Sequence, residues 1–161
     1  MSGETNRRYP DSPNHNSVQD GLEFQDVVTD TLAEHGLIIQ NYGSKQYQLN
    51  VGENRQHIEI KLDNRCTETG RLSIEVAEKT AVNRDWVPSG IYRDDSWLYV
   101  QGNRTRIWIF FTSFLRSLHR FKDYTEHEEP KDAPTIRAFF LPIADADKYG
   151  HCFDVVSRLT N

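Results

Sequence analysis

At 161 residues the chain has the length of one domain able to bury a substantial core. A hydrophobic share of 37%, with no run near the ~20 apolar residues that span a bilayer, argues against a membrane-embedded helix. The net charge of −5 argues against a nonspecific nucleic-acid coat, and two distant cysteines argue against a disulfide framework. The opening residues 1–16 are polar and lack the apolar core of a secretory signal, so a reducing cytoplasm is the expected setting. Charge is unevenly spread. Residues 81–122 hold seven Lys/Arg against three Asp/Glu, and residues 123–161 hold eight acids against four bases. A basic central surface can therefore coexist with an acidic total, as can a merely mixed solvated surface.

Residues 1–17 are almost devoid of apolar side chains and read as a disordered arm, leaving 18–161 as a single domain. Asp20 followed by Glu23 resembles a capping box. Phe24, Val27, Val28 and Leu32 then trace one helical face up to Gly36, which predicts a helix over 21–35. Short strands are expected at 37–41 and 46–51.

Next come two strictly alternating segments, 56–63 and 71–79. Ile58, Ile60 and Leu62 share one face of the first, and Leu72, Ile74 and Val76 one face of the second. The opposite faces carry Glu59, Lys61 and Asp63, then Arg71, Ser73, Glu75, Ala77 and Lys79. Thr69-Gly70 helps to close the pair into a hairpin. With Asp63 opposite Arg71, Glu59 falls opposite Glu75, a like-charge pair that destabilises a sheet unless a divalent cation lies between.

Pro88-Ser89-Gly90 marks a loop. Residues 96–101 and 106–111 read as strands joined by a Gly102-Asn103 turn, with Trp97, Tyr99, Trp108 and Phe110 suiting a sheet. Thr112 or Ser113 starts a helix with the stripe Phe114, Leu115, Leu118 and Phe121. Residues 124–134 read as an acidic loop. A last strand spans 135–143, with Pro142 favouring an edge or a strand end. The tail from residue 144 gives no clear signal.

An acid on the first helix, then acids and a lysine on neighbouring strands, resembles the PD-(D/E)XK nuclease superfamily over roughly residues 21–121. The resemblance implies an α/β fold, a central mixed β-sheet flanked by helices, restriction-endonuclease-like. It also implies a Mg²⁺-dependent endonuclease, with Mn²⁺ as a possible substitute, acting on DNA in a phage, mobile-element or restriction setting. A homodimer follows if both strands are cut. Glu59 takes the first acidic position, with Asp63 as a variant, and Glu75 takes the second. Glu23 is the helix acid. The pattern's lysine, two residues after Glu75, is replaced by Ala77. Lys61 is the preferred substitute and Lys79 the second.

Mg²⁺ prefers oxygen ligands, here Glu59 (Asp63 in the variant assignment), Glu75 and the Val76 carbonyl, with Glu23 able to hold a second metal or a metal-bound water. Lys61 would stabilise charge developing on the phosphate. Arg65, Arg71, Arg84, Arg93, Arg104 and Arg106 are the expected phosphate contacts. Plainer readings stand beside these. Glu23 can be a capping acid, Glu59, Lys61 and Asp63 a wet strand face, and Lys61 with Glu75 an ordinary cross-strand ion pair. A fold that has lost its chemistry and binds nucleic acid or a protein partner remains the alternative.

Overall fold

The computed structural model describes residues 13–43, 45–93 and 95–156. The described residues form two four-stranded sheets with helices, an α/β arrangement. The first sheet is mixed, in the order β1 (Ile58–Leu62), β4 (Leu98–Gly102), β5 (Arg106–Phe111), β8 (His151–Asp154), with β1 parallel to β4 and the rest antiparallel. The second is wholly antiparallel, in the order β3 (Val87–Pro88), β2 (Arg71–Glu78), β7 (Ile136–Pro142), β6 (Glu126–Glu129).

Helix α1 (Pro13–Glu34) starts well before residue 21, inside the stretch read as an arm. The rest of that stretch, residues 1–12, lies outside the described residues. Asp20 and Glu23 therefore sit within the helix and do not cap it. Phe24, Val28 and Leu32, spaced four apart, are fully buried against Ile58, Ile60, Val100 and Ile107. Each such side chain contributes roughly 1.5–3 kcal/mol. Residues 37–41 form no strand beyond one bridge, Asn41 to Asn54. The second expected strand is instead helix α2 (Lys45–Val51). Its Gln48 is buried and bonds Gln25 of α1 and the Tyr42 carbonyl, so polar tertiary contacts override a weak strand signal.

The hairpin expected over 56–63 and 71–79 does not exist. Helix α3 (Cys66–Thr69) fills the gap between its arms, and Gly70, at φ 70°, turns the chain out of that helix. β1 then pairs with β4, and β2 pairs with β7 and β3. Neither Asp63 with Arg71 nor Glu59 with Glu75 is a cross-strand pair. Alternation tells which face is buried but not which strand lies alongside.

The β4–β5 hairpin does form, in the register Leu98↔Phe111. Asn103 holds its turn, Oδ1 accepting the Thr105 and Arg106 amides at 2.9 and 3.0 Å. Helix α4 (Thr112–Phe121) follows directly. The acidic stretch read as a loop contains β6, whose Glu-His-Glu-Glu sequence suits an exposed edge strand. β7 is central, and Pro142 ends it. The tail forms α5 (Ile143–Tyr149) and β8. A second core joins Leu72, Ile74 and Val76 of β2 to Tyr99, Trp108, Phe139 and Leu115. Among the described residues no helix is long and apolar enough to cross a membrane.

Cys66 is fully buried and Cys152 exposed. Burial, with help from the Asp63 charge, pushes the Cys66 thiol from 9.0 up to about 11. Above pH 9 the unfolded chain ionises this thiol while the folded chain keeps it neutral, so stability falls as pH rises from 9 to 11. Cys66→Ala is expected to remove that loss in denaturant titrations across this range. A thiol reagent at neutral pH should modify Cys152 promptly and Cys66 only after denaturation.

Candidate active site

β1 sends Ile58 and Ile60 into the α1 core, so Glu59 and Lys61 face the other way. The parallel register with β4 places Glu59 beside Tyr99 and Lys61 beside Gln101 on that face. The outer edge of β1 is closed by side chains. Asn54 bonds both the amide and the carbonyl of Ile58, and Glu53 Oε2 accepts the Ile60 amide at 2.8 Å. From the second sheet, the face of β2 opposite its apolar residues presents Ser73 and Glu75.

Three of the expected residues come together between the sheets. Lys61 Nζ lies 2.9 Å from Glu59 Oε1 and 3.3 Å from Glu75 Oε2. The carboxylates are no wet face, since their side chains are only 5% and 12% exposed. Lys61 is 31% exposed. Burial alone would lower its pKa, but Glu59, Glu75 and Glu53 outweigh that and raise it well above the ordinary lysine value. Its contact with Glu59 is an ion pair without hydrogen-bond alignment, so the buried Glu59 Oε1 accepts no hydrogen bond. The buried Gln101 Oε1 is likewise unbonded. The Tyr99 hydroxyl lies against the Glu75 main chain without closing a bond to it, and burial raises its pKa strongly. Buried oxygens without hydrogen bonds on one face of the first sheet, across β1 and β4, are a costly arrangement for a fold to keep.

Glu75 is held from behind. Ser89 Oγ donates to Glu75 Oε1 at 2.6 Å, and the Ser89 amide donates to the Val76 carbonyl at 3.2 Å. Gly90, at φ +55°, lets this loop touch β2, because a Cβ there would stand 2.2 Å from the Glu75 carbonyl oxygen. A bulge between Glu75 and Ala77 breaks the register with β7 at the same point. A cleft of about 670 Å³ opens here, lined by Lys61, Glu75, Tyr99 and Gln101 and by Arg71 and Phe140. Glu59 stands behind Lys61 and does not line it.

The other expected residues lie elsewhere or are engaged otherwise. Glu23 is half exposed, bonded to Gln19 and Arg104, which hold its carboxyl below the usual range. It belongs to the helix packed on the opposite face of the first sheet, away from Glu59. Asp63 is a structural tie: Oδ2 accepts the Ser73 amide and Gln101 Nε2, each at 3.0 Å. The Val76 carbonyl is taken by Ser89. Lys79 lies 4.5 Å from the Trp86 ring centre and bonds the Val82 carbonyl, outside the site. Among the described residues no group of three or more His, Cys, Asp or Glu side chains gathers as a metal cage. Arg93 faces Glu59 and Asp95, each at 3.8 Å, Arg104 faces Asp20 and Glu23, and Arg106 faces Asp154. Arg84 is exposed on the loop before β3. Arg65 and Arg71 line the cleft.

Sequence reasoning missed Glu53, Gln101 and the Ser89-Gly90 clamp, and it placed Tyr99 only in the sheet. Pro88-Ser89-Gly90 was visible as a loop signal, but nothing in it announced a contact with Glu75. Comparison with family models, with curated proteins and with solved structures gives no match.

Proposed function

We propose that this chain is a Mg²⁺-dependent nuclease of restriction-endonuclease-like design, cutting DNA phosphodiester bonds with Glu59, Lys61 and Glu75. The observation that carries this reading is the meeting of a buried and a largely covered carboxylate at one ammonium beside a cleft. Glu59-Ile60-Lys61 is itself acid–any–lysine on one strand, so the lysine missing at Ala77 need not have been relocated. Glu75 is then the partner acid, and the two acids occur in the opposite chain order to the family pattern.

The donor set fits a hard cation that keeps most of its waters. One or two carboxylates are the usual protein share for Mg²⁺, and Gln101 Oε1, buried without a hydrogen bond, is a further oxygen of the right kind. Glu59 and Glu75 would hold the ion, which when bound supplies a more acidic water and neutralises phosphate charge. Lys61 now stands where a shared cation would be held, as the internal counter-charge of both acids. Its flexible stem lets the ammonium turn toward the cleft and face the charge that builds on the phosphate. Ser89 fixes the Glu75 carboxylate, and Gly90 lets that loop approach β2 closely enough to do so.

A second reading has its own observation: Lys61 already neutralises both acids, as a nuclease fold that had lost its chemistry would show. The two separate in one assay. The chain should cleave labelled DNA with Mg²⁺ or Mn²⁺ and stop on chelation. Glu75→Gln, which keeps the Ser89 bond, should lower the rate at least ~100-fold with an unchanged circular dichroism spectrum. Nucleic-acid binding in chelator with no cleavage under either metal would select the inactive module.

A further inference from the structure

The cleft beside Lys61, at about 670 Å³, lies inside the roughly 300–1,000 Å³ range of pockets that enclose one small ligand. That is room for one or two nucleotides, not for the width of a duplex. Four surface arginines are spent on carboxylates. Arg93, Arg104 and Arg106 face carboxylates, and Arg137 is bonded to Glu128 at 2.8 Å. Duplex binding draws on a broad run of unopposed Lys and Arg along the backbone, and these pairings take four arginines out of it.

Within the cleft the chemistry differs. Arg71 Cζ sits 3.5 Å from the Phe140 ring centre and joins no ion pair among the described residues. His127 closes the other face of that ring at 3.8 Å and 11°. His127 is in turn held by Ser73 at 3.1 Å and Glu129 at 2.9 Å. This stack fixes the guanidinium before any ligand arrives, so little rotamer entropy is lost when it binds. Pro130 and Ile136 add an apolar wall.

We propose that the cleft takes a single, unpaired nucleic-acid strand, with Arg71 on the phosphate next to the one at Lys61 and a base against Pro130 and Ile136. The proposal rests on the nuclease reading only in taking the ligand to be a phosphodiester chain. One copy of the protein then serves one strand, and no dimer is required.

Fluorescence anisotropy in EDTA tests it, using labelled oligothymidine, oligouridine and a duplex of equal length. Either single strand should bind at least about tenfold tighter than the duplex, and the preferred one tells DNA from RNA. Arg71→Ala should weaken single-strand binding about tenfold, while Lys148→Ala on α5 leaves it unchanged. Should Arg71→Ala disturb the fold by circular dichroism, Arg65→Ala, whose side chain is 74% exposed, replaces it and should lower the salt slope by about one unit. Duplex binding equal to or tighter than single-strand binding overturns the proposal, as does unchanged affinity in folded Arg71→Ala. Single-strand binding without cleavage under any metal counts against the nuclease and leaves this inference standing. Metal-dependent cutting of duplex with single strands refused does the reverse.

Discussion

Lys61→Met is expected to lower the unfolding free energy by about 2–4 kcal/mol at neutral pH. Methionine keeps the reach of the side chain and removes its charge, leaving Glu59 and Glu75 facing each other with nothing between. Removing one partner of a fully buried ion pair costs about 3–5 kcal/mol, and the partial exposure of Lys61 places the loss toward the lower end. Denaturant titrations measure it. The same titrations with Mn²⁺ should recover much of the loss, because a cation taken up by the two carboxylates stabilises by mass action, about 2.7 kcal/mol at a hundredfold excess over Kd. Pure structural roles for both acids predict the loss without the recovery. The wild type should also lose stability as pH climbs past the ordinary lysine value of 10.5 toward the raised folded value, and this alkaline contribution should be absent from Lys61→Met.

Gly90→Ala is expected to cost about 3–5 kcal/mol and to abolish the proposed cleavage with it. The residue sits at φ +55°, and an added Cβ would meet the Glu75 carbonyl oxygen at 2.2 Å and its carbonyl carbon at 2.7 Å. Both are main-chain atoms of a central strand, so neither can turn aside. Relief requires the Ser89–Gly90 loop to lift off β2, which breaks the Ser89 bonds to Glu75 and Val76. Gly70→Ala is the matched control. It shares a positive φ of +70° but has nothing within 4 Å of the new Cβ, so only the left-handed strain of about 1–2 kcal/mol should appear. Thermal unfolding of the two variants separates backbone strain from the clash. Equal effects would mean that the contact between the loop and Glu75 is not what Gly90 provides.

The candidate site was more legible than the architecture that builds it. Alternation separates Glu59 and Lys61 from Ile58 and Ile60, and Glu75 from Ile74 and Val76, but the outer surface expected for them is buried at Glu59. It could not name partners. The expected hairpin put Glu59 opposite Glu75 within one sheet, whereas α3 carries the chain from one sheet to the other, and the acids meet across the gap. Choosing Lys61 over Lys79 followed from its sharing a face with Glu59, and that geometry holds. The β4–β5 hairpin was readable because Gly102-Asn103 interrupts two aromatic and β-branched runs. β6 was not, because Glu126-His127-Glu128-Glu129 has no apolar alternation and is a strand only by pairing with β7. Glu53 was invisible for another reason: its role is to accept one amide of an edge strand, which no local pattern encodes.

The Glu59 and Glu75 carboxylates are expected to share one hard cation. Titrating Mn²⁺ into the protein while following the free-ion electron paramagnetic resonance signal tests this most directly. One ion per chain is expected, with affinity lost in both Glu59→Gln and Glu75→Gln and increased in Lys61→Met, where the competing ammonium is gone. No saturable binding to Lys61→Met, or binding that survives both glutamine variants, would contradict the account.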